Sequence, residues 1–168
     1  MKLFFLMITV FMFSCEYQEF SAYGSDNSEK IEIINKKFEK YRKSFPEVVN
    51  LSPKELTQLD DYVLLDAREK KEYEVSIIKD AITLEEFETN KNKFKNRKLI
   101  VYCTIGYRSG LYASELLDDG FDAYNLKGGV LLWSHEGFDF YKDNQKTNRV
   151  HIYSKDWNYL RDNYVGVF

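Results

Sequence analysis

The order of segments predicts an α/β fold, a parallel sheet flanked by helices on both faces. Two short apolar strands, VLLD at 63–66 and LIVYC at 99–103, each lead into a polar loop and then a helix-forming stretch. Strand, loop and helix in repeated alternation make parallel strands joined by crossovers. Composition is the third observation: of 168 residues 44% are hydrophobic, with 13 Tyr and 13 Phe. That is ample for one domain core and excludes a chain disordered throughout.

From the N-terminus, residues 3–13 form an apolar run broken only by Thr9. It is too short to span a bilayer as a mature helix and has the length of a secretory h-region. Ser14 then precedes Cys15, and the whole resembles a bacterial lipoprotein signal, with Met12 where such signals usually carry Leu and a bulky Phe13. The reading is a signal peptide over 1–14 and lipidation of Cys15, which puts the protein outside the cytoplasm, periplasmic or on the cell surface, held to the membrane by lipid. An ordinary cleaved signal with an incidental Cys15 is the alternative. Residues 15–29 are polar, lack a sustained period and suit a tether. Over 30–45, Ile31, Ile34, Phe38, Tyr41 and Phe45 recur every three or four residues before Pro46, as in an amphipathic helix.

The next domain runs over 46–140. SPKEL has the order N-cap Ser52, first-turn Pro53 and capping-box Glu55, so a short helix starts there. REKKEY directly after VLLD reads as a helix, and a lysine-rich helix precedes LIVYC. After residues 103–109, CTIGYRS, apolar positions 111, 112, 116 and 117 and a Gly stop at 120 mark another helix. The tail over 141–168 is too aromatic for a disordered end. It is expected to pack as an added strand and turn, with a partner-docking surface as the alternative.

Charge and cysteine usage limit the chemistry. Lys plus Arg number 24 against 27 Asp plus Glu, a formal charge of -3, with no basic excess to attract nucleic acid. The cluster Lys91, Lys93, Lys95, Arg97 and Lys98 reads as a solvated helix end and loop. With two Cys and two His in all, a closed metal site lacks its usual ligand set. A Cys15 to Cys103 bridge would tie a terminus to a strand end, and neither cysteine is expected to pair. His135 reads as a surface or packing residue and Trp133 as core.

Cys103 ends an apolar strand where a loop opens into a helix. Ligands bind there in parallel sheets, because unpaired N–H groups and the positive helix end converge on one point. A thiolate is stabilised at that place. LSPKEL, LLDAREKKEY, IVYCTIGYRSG and NLKGGVLLW with Gly137 stand in the order and spacing of a single-domain rhodanese, the sulfurtransferases that carry sulfur as a cysteine persulfide, and CTIGYRS is similar to that family's C-x-x-G-x-R-S loop. The family's Gly-His-Ile-Pro-Gly-Ala turn is replaced here by SIIKDA at 76–81, so a rebuilt turn is expected.

The resemblance implies that Cys103 attacks the outer sulfur of a small sulfane donor such as thiosulfate and hands the persulfide to a thiol, cyanide or protein acceptor, with no cofactor and no metal. Backbone N–H groups of Thr104, Ile105, Gly106, Tyr107, Arg108 and Ser109 are expected to hold the anionic sulfur. Arg108 has two readings: it attracts the donor, or it pairs with Asp66 or another acid and braces the loop. Asp66 and Arg68 are read as braces behind the thiol, since a carboxylate beside a thiolate opposes its ionisation. With Arg108 the only cation in the loop, thiosulfate is expected to be a poor physiological donor. The competing readings are a non-catalytic binding or sulfur-sensing module and a cysteine phosphatase or arsenate reductase. The last pair place Arg six positions after Cys, whereas Arg108 is five after Cys103.

Overall fold

The computed structural model describes the backbone of residues 13–168 and the side chains of 26–168. The expected signal peptide, apart from its last two backbone positions, and the side chain of Cys15 lie outside the described residues. Helix α1 runs over Phe13–Tyr41, so the stretch expected as a tether continues the amphipathic helix. Extending an existing helix needs no new nucleus, and residues 16–29 contain no proline. Among the described residues no helix is long and apolar enough to cross a membrane.

The stripe of α1 buries Ile34 and Phe38, but the helix ends before Phe45. The chain tightens into a 3-10 turn at Arg42–Ser44, and Pro46 disfavours helical geometry at the residue before it. Phe45 therefore leaves the stripe and packs in the core on the opposite side of the sheet from Ile34.

Next come β1 (Asn50–Leu51), α2 (Pro53–Leu56), β2 (Tyr62–Asp66) and α3 (Lys70–Tyr73). Ser52 and Glu55 form the expected reciprocal capping box on α2. The segment SIIKDA contains β3 (Ile77–Ile78) and a turn closed by Ala81 N–H to Ile78 O at 3.1 Å. Asp80 takes the left-handed conformation there, at φ 62°. Then follow β4 (Ile82–Thr83), α4 (Leu84–Thr89), β5 (Lys98–Tyr102), α5 (Tyr107–Asp118), β6 (Asp122–Leu126) and α6 (Gly129–His135). The lysine-rich stretch forms a 3-10 turn at Lys91–Phe94, not a full helix.

Five strands build one sheet in the order β1-β6-β5-β2-β4, and every pairing in it is parallel. Alternation along the strands splits the core in two. Leu64, Ile100, Tyr102 and Leu126 face α1, α2 and α6, while Leu65, Leu99, Val101 and Ala123 face α4 and α5. The tail adds β7 (Phe140–Lys142), β8 (Gln145–Thr147), β9 (Arg149–His151) and β10 (Val165–Val167). Its Val150, Ile152 and Leu160 are buried in the first of the two cores. It closes over the carboxyl ends of the strands beside Cys103.

Candidate active site

Cys103 is the first residue past β5, and α5 begins at Tyr107, so the connecting loop is short and Arg108 and Ser109 lie in the first turn of the helix. The thiol is 1% exposed. It forms the floor of a cavity of about 310 Å3 lined by Tyr41, Thr104, Ile105, Tyr107, Arg108, Tyr153 and Trp157. Gly106 N–H donates to Cys103 Sγ at 3.2 Å.

The loop is anchored from behind at several points. Gly106 stands at φ 98°, and a Cβ there would meet Phe38 of α1 at 2.8 Å, so glycine supplies both the conformation and the space. Buried Asn125 of β6 donates to Gly106 O at 2.9 Å and to Asn50 Oδ1 at 2.8 Å, and accepts from Ser109 Oγ at 2.7 Å. The side chain of Ser109 thus faces the sheet. The first turn of α6 donates to the loop carbonyls, Val130 N–H to Cys103 O at 3.0 Å and Leu131 N–H to Thr104 O at 3.3 Å. This close approach explains the GGV sequence: a Cβ on Gly129 would lie 2.1 Å from Cys103 O.

Arg108 braces the loop through Glu72, an acid outside the CTIGYRS loop but inside the LLDAREKKEY segment. Its Nη1 and Nη2 donate to Glu72 Oε2 at 2.6 Å and Oε1 at 2.8 Å, and Nη2 also reaches Thr104 Oγ1 at 3.2 Å. Thr104 Oγ1 in turn donates to Glu72 Oε1 at 3.2 Å. Burial opposes charge on both partners. For Glu72, the Arg108 fork and the Glu69 N–H outweigh it and lower the pKa; for Arg108, Glu72 and the neighbouring Cys103 sulfur raise it.

Asp66 is not free to take Arg108. Its two oxygens accept from Arg68 Nε at 2.9 Å and Nη2 at 2.6 Å, and Tyr102 OH donates to Oδ2 at 2.6 Å. Arg68 Nη2 also donates to Ser76 O at 2.7 Å. These buried groups tie the ends of β2 and β5 to the SIIKDA segment. His135 lies at the end of α6 with Nε2 2.9 Å from Tyr159 O.

Several residues of the site escaped sequence reasoning. Glu72 stands in the charged run REKKEY, and its one local signal is its place three residues after Glu69, where its carboxylate caps α3. His151 is 5% exposed, accepts from Tyr153 N–H at 3.1 Å through Nδ1, and stands 4.0 Å from Glu72 Oε1. The Tyr41 ring lies tilted against Tyr107, with centroids 5.0 Å apart, and 6.4 Å from Trp157, and Arg108 sits 5.5 Å over the Tyr153 ring. Of these rings only Tyr107 belongs to the CTIGYRS loop; Tyr41, Tyr153 and Trp157 come from α1 and the tail, with nothing local to link them to Cys103.

A Cys floor, a loop turned by a left-handed glycine and a bracing arginine at the carboxyl end of a parallel sheet agree with the family profile, which matches residues 52–136 as a rhodanese-like domain. The chain belongs to the rhodanese-like domain family. Among curated relatives, the tRNA uridine(34) hydroxylase of Acinetobacter baylyi is 37% identical over 99 residues, covering 51% of this chain and 32% of the relative. The chain thus spans about a third of that relative's length. Among solved structures, the thiosulfate sulfurtransferase from Pseudomonas aeruginosa superposes with a TM-score of 0.54 at 22% identity, over 65% of this chain and 23% of that one. The polysulfide-sulfur transferase homodimer from Wolinella succinogenes gives 0.51 at 24% identity, over 63% and 87%. At these identities the two structures show that the rhodanese-like fold is shared. Tyr41, His151, Tyr153 and Trp157 lie outside the 52–136 match.

Proposed function

We propose that this rhodanese-like chain is a sulfurtransferase that moves sulfane sulfur through a persulfide on Cys103. The observation that carries the reading is the thiol itself, which floors an open cavity while Gly106 N–H donates to its sulfur. The Cys103 thiolate attacks the outer sulfur of the donor, a new S–S bond forms, and the donor's remaining fragment leaves with the electron pair of the broken bond. An acceptor thiol or cyanide then takes the terminal sulfur and returns Cys103 to the thiolate. Gly106 N–H donates to the sulfur, and N–H groups at the start of α5 would add to its stabilisation once it carries charge. Arg108 holds Thr104 and the loop in register through Glu72, and Asp66 with Arg68 holds the strand ends beneath them. Lipidation at Cys15 would keep this chemistry at a membrane surface outside the cytoplasm.

Intact mass before and after treatment with a sulfane donor tests the reading. The protein is expected to gain one sulfur atom, removable by dithiothreitol, and Cys103→Ser to gain none. Absence of any gain while Cys103 alkylates freely overturns sulfur transfer and favours a binding module. A phosphatase reading is not favoured, since Arg108 is five positions after Cys103 and its fork is engaged by Glu72.

A second reading draws on the curated relatives: the domain serves tRNA uridine(34) hydroxylation, alone or with further protein. The 37% identity supports it, while the formal charge of -3 provides little attraction for a polyanion. Gel retardation with unfractionated tRNA separates the two. Salt-sensitive binding favours the second reading, and absence of binding together with sulfur loading favours the first.

A further inference from the structure

The cavity above Cys103 is larger and more aromatic than transfer of sulfur from a small inorganic anion requires. At about 310 Å3 it reaches the lower end of the range of roughly 300–1,000 Å3 that holds organic ligands. Its rim is a collar of Tyr41, Tyr107, Tyr153 and Trp157. Tyr107 and Tyr153 remain 39% and 53% exposed, although Tyr41 packs on one side of the first and Arg108 on one side of the second.

Charge points the same way. Thiosulfate carries two negative charges, and the one cation among the cavity-lining residues is Arg108. That guanidinium is already matched by the Glu72 carboxylate at 2.6 and 2.8 Å, so the pair is neutral towards an incoming anion. Lys37, whose ammonium lies 4.9 Å over the Trp157 ring, does not line the cavity.

We propose that the collar of Tyr41, Tyr107, Tyr153 and Trp157 binds the organic group of the sulfur donor, so that Cys103 takes sulfur from an organic persulfide with an apolar or aromatic substituent in preference to thiosulfate. This rests on the sulfur-transfer reading and adds the donor class to it. Three of the four rings belong to α1 and the tail, outside the 52–136 match, so the flanking segments are what give this chain its donor preference. The step balances without an external oxidant. The Cys103 thiolate bonds to the terminal sulfur of R–S–SH, the S–S bond of the donor breaks, R–S⁻ leaves with the electron pair, and the proton stays on the new Cys103–S–SH. The R group stacks against the rings while its terminal sulfur reaches the floor.

Benzyl persulfide and methyl persulfide test this directly, because they share the reacting S–SH group and differ in the substituent. Initial rates of sulfur loading on the full chain are compared by mass spectrometry, with thiosulfate as a third donor. Benzyl persulfide is expected to load about tenfold faster than methyl persulfide, and thiosulfate slowest. The benzyl-to-methyl ratio should fall towards one in Trp157→Leu and in Tyr153→Ala; the exposed Tyr153 ring can be truncated without opening the core. General damage to the loop slows both persulfides together and leaves the ratio where it was. Equal rates for the two persulfides in the unmodified chain, a ratio unmoved in both variants, or thiosulfate faster than either persulfide overturns the inference while sulfur transfer stands. Loading from none of the three donors removes the sulfur-transfer reading, and this inference with it.

Discussion

Arg108 owes its position to Glu72, a carboxylate with 0% side-chain exposure that stands 36 residues earlier in the chain. The fork joins α3 to the first turn of α5 and takes Thr104 with it, so one acid holds two of the residues that shape the loop. Glu72→Gln removes the charge and leaves one amide oxygen where the fork needs two acceptors. Because the Arg108 side chain keeps 30% exposure, water offsets part of the loss, and the cost is expected at about 1–3 kcal/mol. The pH dependence identifies the cause. Burial opposes ionisation of Glu72, but the Arg108 fork and the Glu69 N–H lower its pKa, so its contribution is full above the ordinary carboxylate range and is lost as pH falls through the folded value. Urea midpoints of wild type and Glu72→Gln should therefore differ at pH 7 and converge in acid; a gap that stays constant would assign the loss to packing. Cys103, Asp66 and Arg68 were legible in the sequence because each lies in a contiguous motif at a strand end. Glu72 shares the LLDAREKKEY segment with Asp66 and Arg68, but its role was not legible there, nor was that of His151, since burial is what distinguishes them from ordinary charged or polar residues, and burial is set by contacts across the fold.

Among the elements, the tail contributes most beyond the family match. The sequence marks the central strands clearly, through the apolar runs VLLD and LIVYC, and marks the tail only by its aromatic content. Its strands are short, β9 and β10 pair with each other in parallel, and their place over the strand ends depends on Ile152 and Val150 entering a core made by α1, α2 and α6. The end of α1 was legible only in part, because periodicity carries Phe45 onto the same stripe as Ile34 while the 3-10 turn at Arg42–Ser44 moves it across the sheet. If the tail is part of the core, Ile152→Ala, at a position 1% exposed, should destabilise the whole domain by about 2–4 kcal/mol. Chemical denaturation followed by far-ultraviolet circular dichroism should show a single transition at lower urea. A separate early transition with the main midpoint unchanged would make the tail an independent unit.

At the scale of the molecule, both histidines sit where the tail meets the domain, and both respond to acid in the same direction. His135 is half-buried between α6 and Tyr159, with Lys30, Arg161 and Asp162 around it. His151 ends β9 against Glu72, with Lys71, Arg68 and Arg108 nearby. Burial is the largest influence on each and lowers the pKa; a backbone bond to Tyr159 O opposes it for His135, and the Glu72 charge opposes it for His151. The unfolded chain therefore binds more protons than the folded one just below the ordinary histidine value of about 6.5. Stability is full above that value and declines as pH falls through the folded values, in a window above the one set by Glu72. Urea midpoints measured from pH 7.5 down to pH 5 should fall accordingly. His151→Asn keeps an acceptor near Nδ1 for the Tyr153 N–H, and His135→Gln keeps a donor for Tyr159 O, so the two changes together remove the titration with little loss of bonding. The double variant is expected to show a nearly flat profile over that window; a slope equal to that of wild type would mean that groups other than these histidines control the acid response of the tail.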